Sequence, residues 1–180
     1  MTYYAVIDTN VIVSSLLTTN PDSTIIKVIN CVRQDLIIPM YDDTILAEYQ
    51  AVLSRERFHF SSERIYNLIS LIKTKGLNCE RKAVIDIFPD PDDIVFYEVA
   101  MSRDDSYLVT GNLRHFPRNG RVVSPADMLM IIECGRNGST VLSVPEGPYY
   151  LPIPLEEINS IIREVRSYAK SSGSQKASNE

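Results

Sequence analysis

A chain of 180 residues, 44% hydrophobic and 23% charged, has the size and composition of one ordinary globular domain with room for an appendage. No apolar run reaches the roughly 20 residues of a membrane helix, and no basic start leads into a long apolar stretch, so neither a membrane span nor a secretory signal is expected. The net charge of −5 excludes a protein that grips nucleic acid by bulk positive charge.

Residues 3–7 read as a buried strand running into Asp8-Thr9-Asn10. A helix over Asn10 to Leu17 follows. Asn20-Pro21-Asp22-Ser23 is a turn that opens a second helix ending near Arg33. Leu36-Ile37-Ile38-Pro39 predicts a short strand stopped by proline. Asp42 and Asp43 cap a helix from about Thr44 to Leu53, with Ile45, Leu46, Tyr49 and Leu53 at helical spacing. Ser61 or Ser62 caps another, which ends near Gly76. A third strand is expected around Cys79 to Ile85 and a helix from Asp93 to Ser102. Strands are expected at Ser106–Thr110 and Arg121–Ser124, and Pro125 begins a helix to about Cys134. Strands alternating with helices predict an α/β fold of three layers, α/β/α, with a central, mainly parallel sheet covered on both faces. Ligands of such sheets sit beyond the carboxyl ends of the strands.

The texture changes at Gly135. Residues 1–135 read as the main domain, and 136–170 as an extension made of a hairpin and a helix. The hairpin strands are expected at 140–144 and 149–153. Pro154 opens the helix, whose apolar face is Leu155, Ile158, Ile161, Ile162, Val165 and Tyr168. The Ser-rich, polar stretch 171–180 reads as a disordered tail. Cys31, Cys79 and Cys134 lie far apart with no CxxC pair, which suits buried thiols in a reducing, cytoplasmic compartment.

The charge is unevenly divided. Residues 1–135 hold 13 Lys and Arg against 18 Asp and Glu, whereas 136–180 hold 5 of each. The excess acid therefore lies with Asp8, Glu48, Asp90, Asp92 and Asp93. Asp8 ends the first strand, Asp93 opens the helix after the third, and Asn112 follows the fourth, all on one sheet edge. Glu48 lies on a helix that can lean over that edge. Each has an ordinary alternative: helix cap, solvated helix residue or turn residue. Their joint placement points elsewhere. Two carboxylates about 4 Å apart repel by roughly 1 kcal/mol in bulk water and about 4 at an effective dielectric of 20, so a fold keeps such a cluster with a compensating partner. Oxygen ligands favour Mg²⁺ or Mn²⁺, and a hard cation there can activate water and offset phosphodiester charge.

These residues resemble the PIN-domain nucleases, in particular the subgroup described as toxins of toxin–antitoxin pairs. The resemblance covers residues 3 to about 134. It rests on Val6-Ile7-Asp8-Thr9-Asn10, on Glu48 followed by Val52-Leu53, on Asp90-Pro91-Asp92-Asp93 with Ala100, and on Val109-Thr110-Gly111-Asn112 through Phe116-Pro117. It implies a PIN-like fold and Mg²⁺- or Mn²⁺-dependent hydrolysis of RNA. Asp8, Glu48 and Asp93 match the family's first three acids as metal-holding catalytic residues. Asn10 and Thr110 match positions that support the site by hydrogen bonds. The pattern departs at the fourth acid: Asn112 stands where many members have Asp, and His115 where others carry an acid before the Phe. Asn112 can offer its carbonyl oxygen but no charge, which leaves one or two ions open. Asp127 is a weak candidate for replacing the lost acid, and a role capping or decorating the last helix is preferred for it.

Arg114, Arg118 and Arg121 form a basic stretch suited to RNA phosphates, and Arg55 and Arg57 a second one. His115 has no evident partner in the sequence. The segment 139–170 lies outside the resemblance. Its helix can pack on its own core, fill the groove where an antitoxin peptide binds in related pairs, or form a homodimer. Two further functions stand beside an endoribonuclease. One is a catalytically weak or inactive PIN-fold module that binds RNA or a partner. The other is a Mg²⁺ phosphatase, disfavoured because Asn10 stands where such enzymes need a second acid.

Overall fold

Tyr3–Ile7 forms β1, the centre of a five-stranded parallel sheet. On one side lie β2 (Ile37–Tyr41) and β3 (Leu77–Asn78); on the other lie β4 (Ser106–Val109) and β5 (Val122–Val123). The order is β3-β2-β1-β4-β5. Tyr3 stands opposite Ile37, and Ile7 opposite Val109. The computed structural model describes residues 1–137 and 153–176.

Seven helices fill the described remainder: α1 (Thr9–Leu17), α2 (Thr24–Arg33), α3 (Asp43–Leu53), α4 (Ser62–Lys75), α5 (Ile94–Met101), α6 (Pro125–Asn137) and α7 (Leu155–Lys176). The chain steps from β1 to β2 to β3 in one direction, then crosses back to β4. Right-handed crossovers therefore place α5, which leads into β4, on the opposite face from α2, which leads into β2. Accordingly α2 packs on β2 and α6, whereas α5 packs on β1, β2 and β4. This is the expected three-layer α/β/α arrangement. Ala5, Val6 and Ile7 are consecutive and all buried, as a central parallel strand covered on both faces requires.

Local chemistry explains most boundaries. The Asp42 carboxylate accepts from the Ile45 N–H at 2.8 Å and caps α3; Ser61 caps α4 through the Arg64 N–H. Gly76 ends α4 because nothing larger fits: a Cβ there would stand 2.5 Å from the Ile72 carbonyl oxygen and 2.6 Å from that of Pro39.

Several expectations need correction. Pro39 does not stop β2, which runs to Tyr41. The strand on that side begins only opposite Met40, so the missing N–H of Pro39 interrupts no ladder there. The third strand lies at Leu77–Asn78, before Cys79–Ile85. The Cys79 N–H still donates to the Tyr41 carbonyl oxygen, after which the chain leaves the edge and Ile85 and Ile87 are fully exposed. The three cysteines are half-buried, not buried. Helix α7 extends to Lys176, so the start of the expected tail is helical. Ile158, Ile161, Ile162 and Val165 of α7 are buried against the chain's own core, while Tyr168 is exposed. The expected hairpin falls on residues outside the described ones, Ile153 excepted. Among the described residues no helix is long and apolar enough to cross a membrane.

Candidate active site

The strand order reverses between β1 and β4, and a parallel sheet opens a crevice at such a switch point. Asp8 stands at the carboxyl end of β1, and Thr110 at that of β4. The Asp8 backbone N–H donates to the Val109 carbonyl oxygen at 2.9 Å, which closes the strand ends. The Thr110 hydroxyl donates to Asp8 Oδ2 at 2.6 Å, and Asn10 Nδ2 donates to the same oxygen at 2.7 Å. Asn10 Oδ1 in turn accepts from the Gly111 N–H at 3.0 Å. Asp8, Asn10 and Thr110 are thus one buried unit, and Asp8 also caps α1 through the Asn10 N–H.

Glu48 arrives on α3. The neighbouring Tyr49 is fully buried and its hydroxyl donates to the Ile7 carbonyl oxygen, which fastens α3 to the end of β1. The Thr9 hydroxyl then donates to Glu48 Oε1 at 2.5 Å. Asp93 lies in a 3-10 turn, Pro91–Asp93, that leads directly into α5. Its Oδ2 is 3.0 Å from His115 Nδ1. His115 therefore has a partner that the sequence does not reveal.

Between these carboxylates lies Arg166 of α7, buried at 8% exposure. Its Nε is 2.9 Å from Glu48 Oε2, and Nη2 is 3.2 Å from Glu48 Oε1. Its Nη1 donates to Asp93 Oδ1 at 2.8 Å and to Asp90 Oδ2 at 3.3 Å. The planar fork of a guanidinium matches this set of oxygens. With Arg166 in place, no three His, Cys, Asp or Glu side chains among the described residues are grouped closely enough to hold a metal ion.

Charge remains in excess even so, because Asp8, Glu48, Asp90 and Asp93 face a single guanidinium. Burial, with the nearby Asp93 charge, pushes the Asp8 carboxyl up to about 6, although the Thr110 hydrogen bond opposes it. Burial also raises Glu48 and Asp93, with Arg166 pulling each back. Burial disfavours the Arg166 cation, but the Glu48 and Asp93 charges outweigh that and hold it protonated. A cluster of oxygen donors with unbalanced negative charge suits a hard divalent cation.

The model of the family described as PIN domain matches residues 4–114. The chain belongs to the PIN-domain family. The match takes in Asp8, Glu48, Asp93 and Asn112 and ends before α6 and α7, so the PIN domain supplies the acids and α7 supplies Arg166. No curated protein and no solved structure matches the chain.

The other candidates separate. Asn112 joins the PIN-domain site through its backbone N–H, which donates to the Thr110 hydroxyl oxygen at 2.9 Å. Asp127 caps α6, the role preferred from the sequence, with Oδ2 accepting from the Ser124 N–H and hydroxyl. Arg114 is exposed beside His115, and Arg118 is exposed in the loop that leads back towards β5. Arg121 precedes β5, at the opposite edge of the sheet from Asp8. Its Nη1 donates to the Arg103 carbonyl oxygen, so it serves the fold. Arg57 pairs with Glu157 of α7. Open space of about 370 Å³ flanks the carboxylates, lined by Asp90, Asp92, His115, Arg163 and Lys170.

Thr9 and Arg166 escape a reading based on strand ends. Arg166 leaves one trace: with Ile158 and Ile162 it continues the i, i+4, i+8 row of the apolar face of α7. A charge on that row requires a buried counter-charge.

Proposed function

We propose that the chain is a metal-dependent endoribonuclease that hydrolyses RNA phosphodiester bonds, with Asp8, Glu48 and Asp93 holding Mg²⁺ or Mn²⁺ and the Asn112 carbonyl oxygen as a neutral fourth donor. The observation that supports this reading is that Glu48 and Asp93, from separate elements, meet on one cationic group whose charge also reaches the buried Asp8. Arg166 already acts there as a stand-in cation, and the donor set is all oxygen. A divalent ion in that position supplies an activated water and offsets the charge of the scissile phosphate.

The chain's own residues prepare the site. Asn10 and Thr110 orient Asp8; Thr9 orients Glu48; His115 orients Asp93. Arg114 and Arg163 lie beside it, where cationic side chains can position RNA phosphates. The site should be checked by calorimetric Mn²⁺ titration of the whole chain. One or two ions should bind to wild type, at least about 10-fold more weakly to Asp93→Asn. Equal affinity in the two proteins contradicts the assignment.

The toxin role rests on the same site. Expression in a bacterial host should arrest growth, and Asp8→Asn should relieve it; arrest that survives the substitution removes the role. One observation favours a second reading, a binding module without turnover: the buried Arg166 fork sits on the very oxygens that an ion needs.

A further inference from the structure

We propose that α7 is a built-in inhibitor of the nuclease site, with the Arg166 guanidinium holding the cation position until a divalent ion displaces it. The inference rests on the metal-dependent reading of that site. Its starting point is the way each carboxylate is shared. Glu48 is fixed at Oε1 by Thr9 and gives Arg166 its Oε2 at 2.9 Å, with a longer second contact of 3.2 Å at Oε1. Asp93 is fixed at Oδ2 by His115 and turns Oδ1 to Arg166. Asp8 is fixed by hydrogen bonds from Thr110 and Asn10, and α7 acts on it only through the Arg166 charge. The acids therefore stay positioned when Arg166 leaves, and the oxygens it releases are those free to take an ion. Arg166 and metal compete for the same atoms.

Three further features make α7 a removable element. It lies beyond the segment matched by the PIN model, which by itself contains every acid of the site. Its seat is incompletely filled: a cavity of about 180 Å³ lies between Pro154 and Leu155 on one side and Asn10, Val11 and Ser14 of α1 on the other. Besides Arg166, part of its hold is ionic and exposed, through Lys170 with Asp92 and Arg57 with Glu157. Exposed pairs of this kind contribute little and weaken with salt. The remaining hold is the buried row Ile158, Ile161, Ile162 and Val165. A divalent ion brings twice the charge of one guanidinium to a cluster that is still net acidic, so competition favours it as its concentration rises.

The test uses the full chain and has two parts. Mn²⁺ affinity is measured by calorimetry for wild type and Arg166→Ala, and amide hydrogen exchange is followed in wild type with and without saturating Mn²⁺. Arg166→Ala should bind Mn²⁺ at least about 10-fold more tightly, because the ion no longer displaces a bound cation. In wild type, Mn²⁺ should speed exchange across α7 and leave α5 unchanged or slower. Equal or weaker binding by a folded Arg166→Ala overturns the inhibitor and leaves the metal site standing, as expected of a permanent structural ion pair. Absence of Mn²⁺ binding in both proteins overturns the metal site itself. Should Arg166→Ala fail to fold, exchange in wild type decides, and α7 amides unmoved or protected by Mn²⁺ reject displacement.

Discussion

The Tyr49 hydroxyl donates to the carbonyl oxygen of Ile7, and this bond joins two catalytic candidates through the backbone. Ile7 precedes Asp8, and Tyr49 follows Glu48. One buried contact thus sets the distance between β1 and α3 at the site. Tyr49→Phe removes the donor and keeps the ring, at a cost of about 1–2 kcal/mol. Thermal unfolding should fall by about 2–8 °C. Mn²⁺ affinity should fall as well, since Glu48 loses its registration with Asp8. Unchanged affinity in a destabilised protein would show that α3 is positioned by other contacts.

Asp8 makes the metal-free protein sensitive to pH. Burial raises its carboxyl from the ordinary 3.8 to about 6. Between these values the folded state binds more protons than the unfolded state, so stability falls as pH rises through the window. The loss is about 3 kcal/mol across it. Asp8→Asn has no such proton. In chelator, its stability relative to wild type should therefore improve from pH 4 to pH 7 by up to that amount. Denaturant unfolding at both pH values measures it. A constant difference would mean that the Asp8 carboxyl titrates alike in the folded and the unfolded chain.

Thr9→Val keeps the shape of a buried, β-branched side chain and deletes the hydroxyl that fixes Glu48 Oε1. The expected outcome is a 10- to 100-fold loss in Mn²⁺ affinity, the usual scale for residues that orient a ligand. Secondary structure by circular dichroism should be unchanged. A Thr9→Ser control retains the hydroxyl and should stay near wild type.

Much of this arrangement is legible in the sequence because it is local. An apolar run ending in Asp8, the Asp42 and Ser61 caps and the close approach at Gly76 are each set by a few neighbouring residues. The edge strand is not legible, since Leu77–Asn78 is two residues long and exposed, with no alternation to mark it. Pro39 misleads, because its tolerance within a strand depends on what pairs beside it. The partnerships of His115 with Asp93 and of Arg166 with Glu48 span 22 and 118 residues. Side-chain type announces a need for a partner, but only the fold chooses which one. Asp93 and Glu48 are found from motif and strand-end placement; the group that occupies them is found only from the packing of α7.

A contrast between core and surface checks the sheet assignment. Ile12 of α1 is fully buried, so Ile12→Ala should cost about 2–5 kcal/mol. Ile85 is fully exposed beyond the edge strand, so Ile85→Ser should stay within about 0.5 kcal/mol. Denaturant midpoints distinguish the two; similar losses would place Ile85 in a packed strand after all.

Cleavage of a single-stranded RNA by the purified chain, with Mn²⁺ or chelator, for wild type and Asp8→Asn, decides whether these acids form a nuclease centre. Cleavage should require the metal and fall by at least about 100-fold in Asp8→Asn. Equal cleavage by both proteins, or cleavage undiminished in chelator, would contradict a nuclease centre built on Asp8, Glu48 and Asp93.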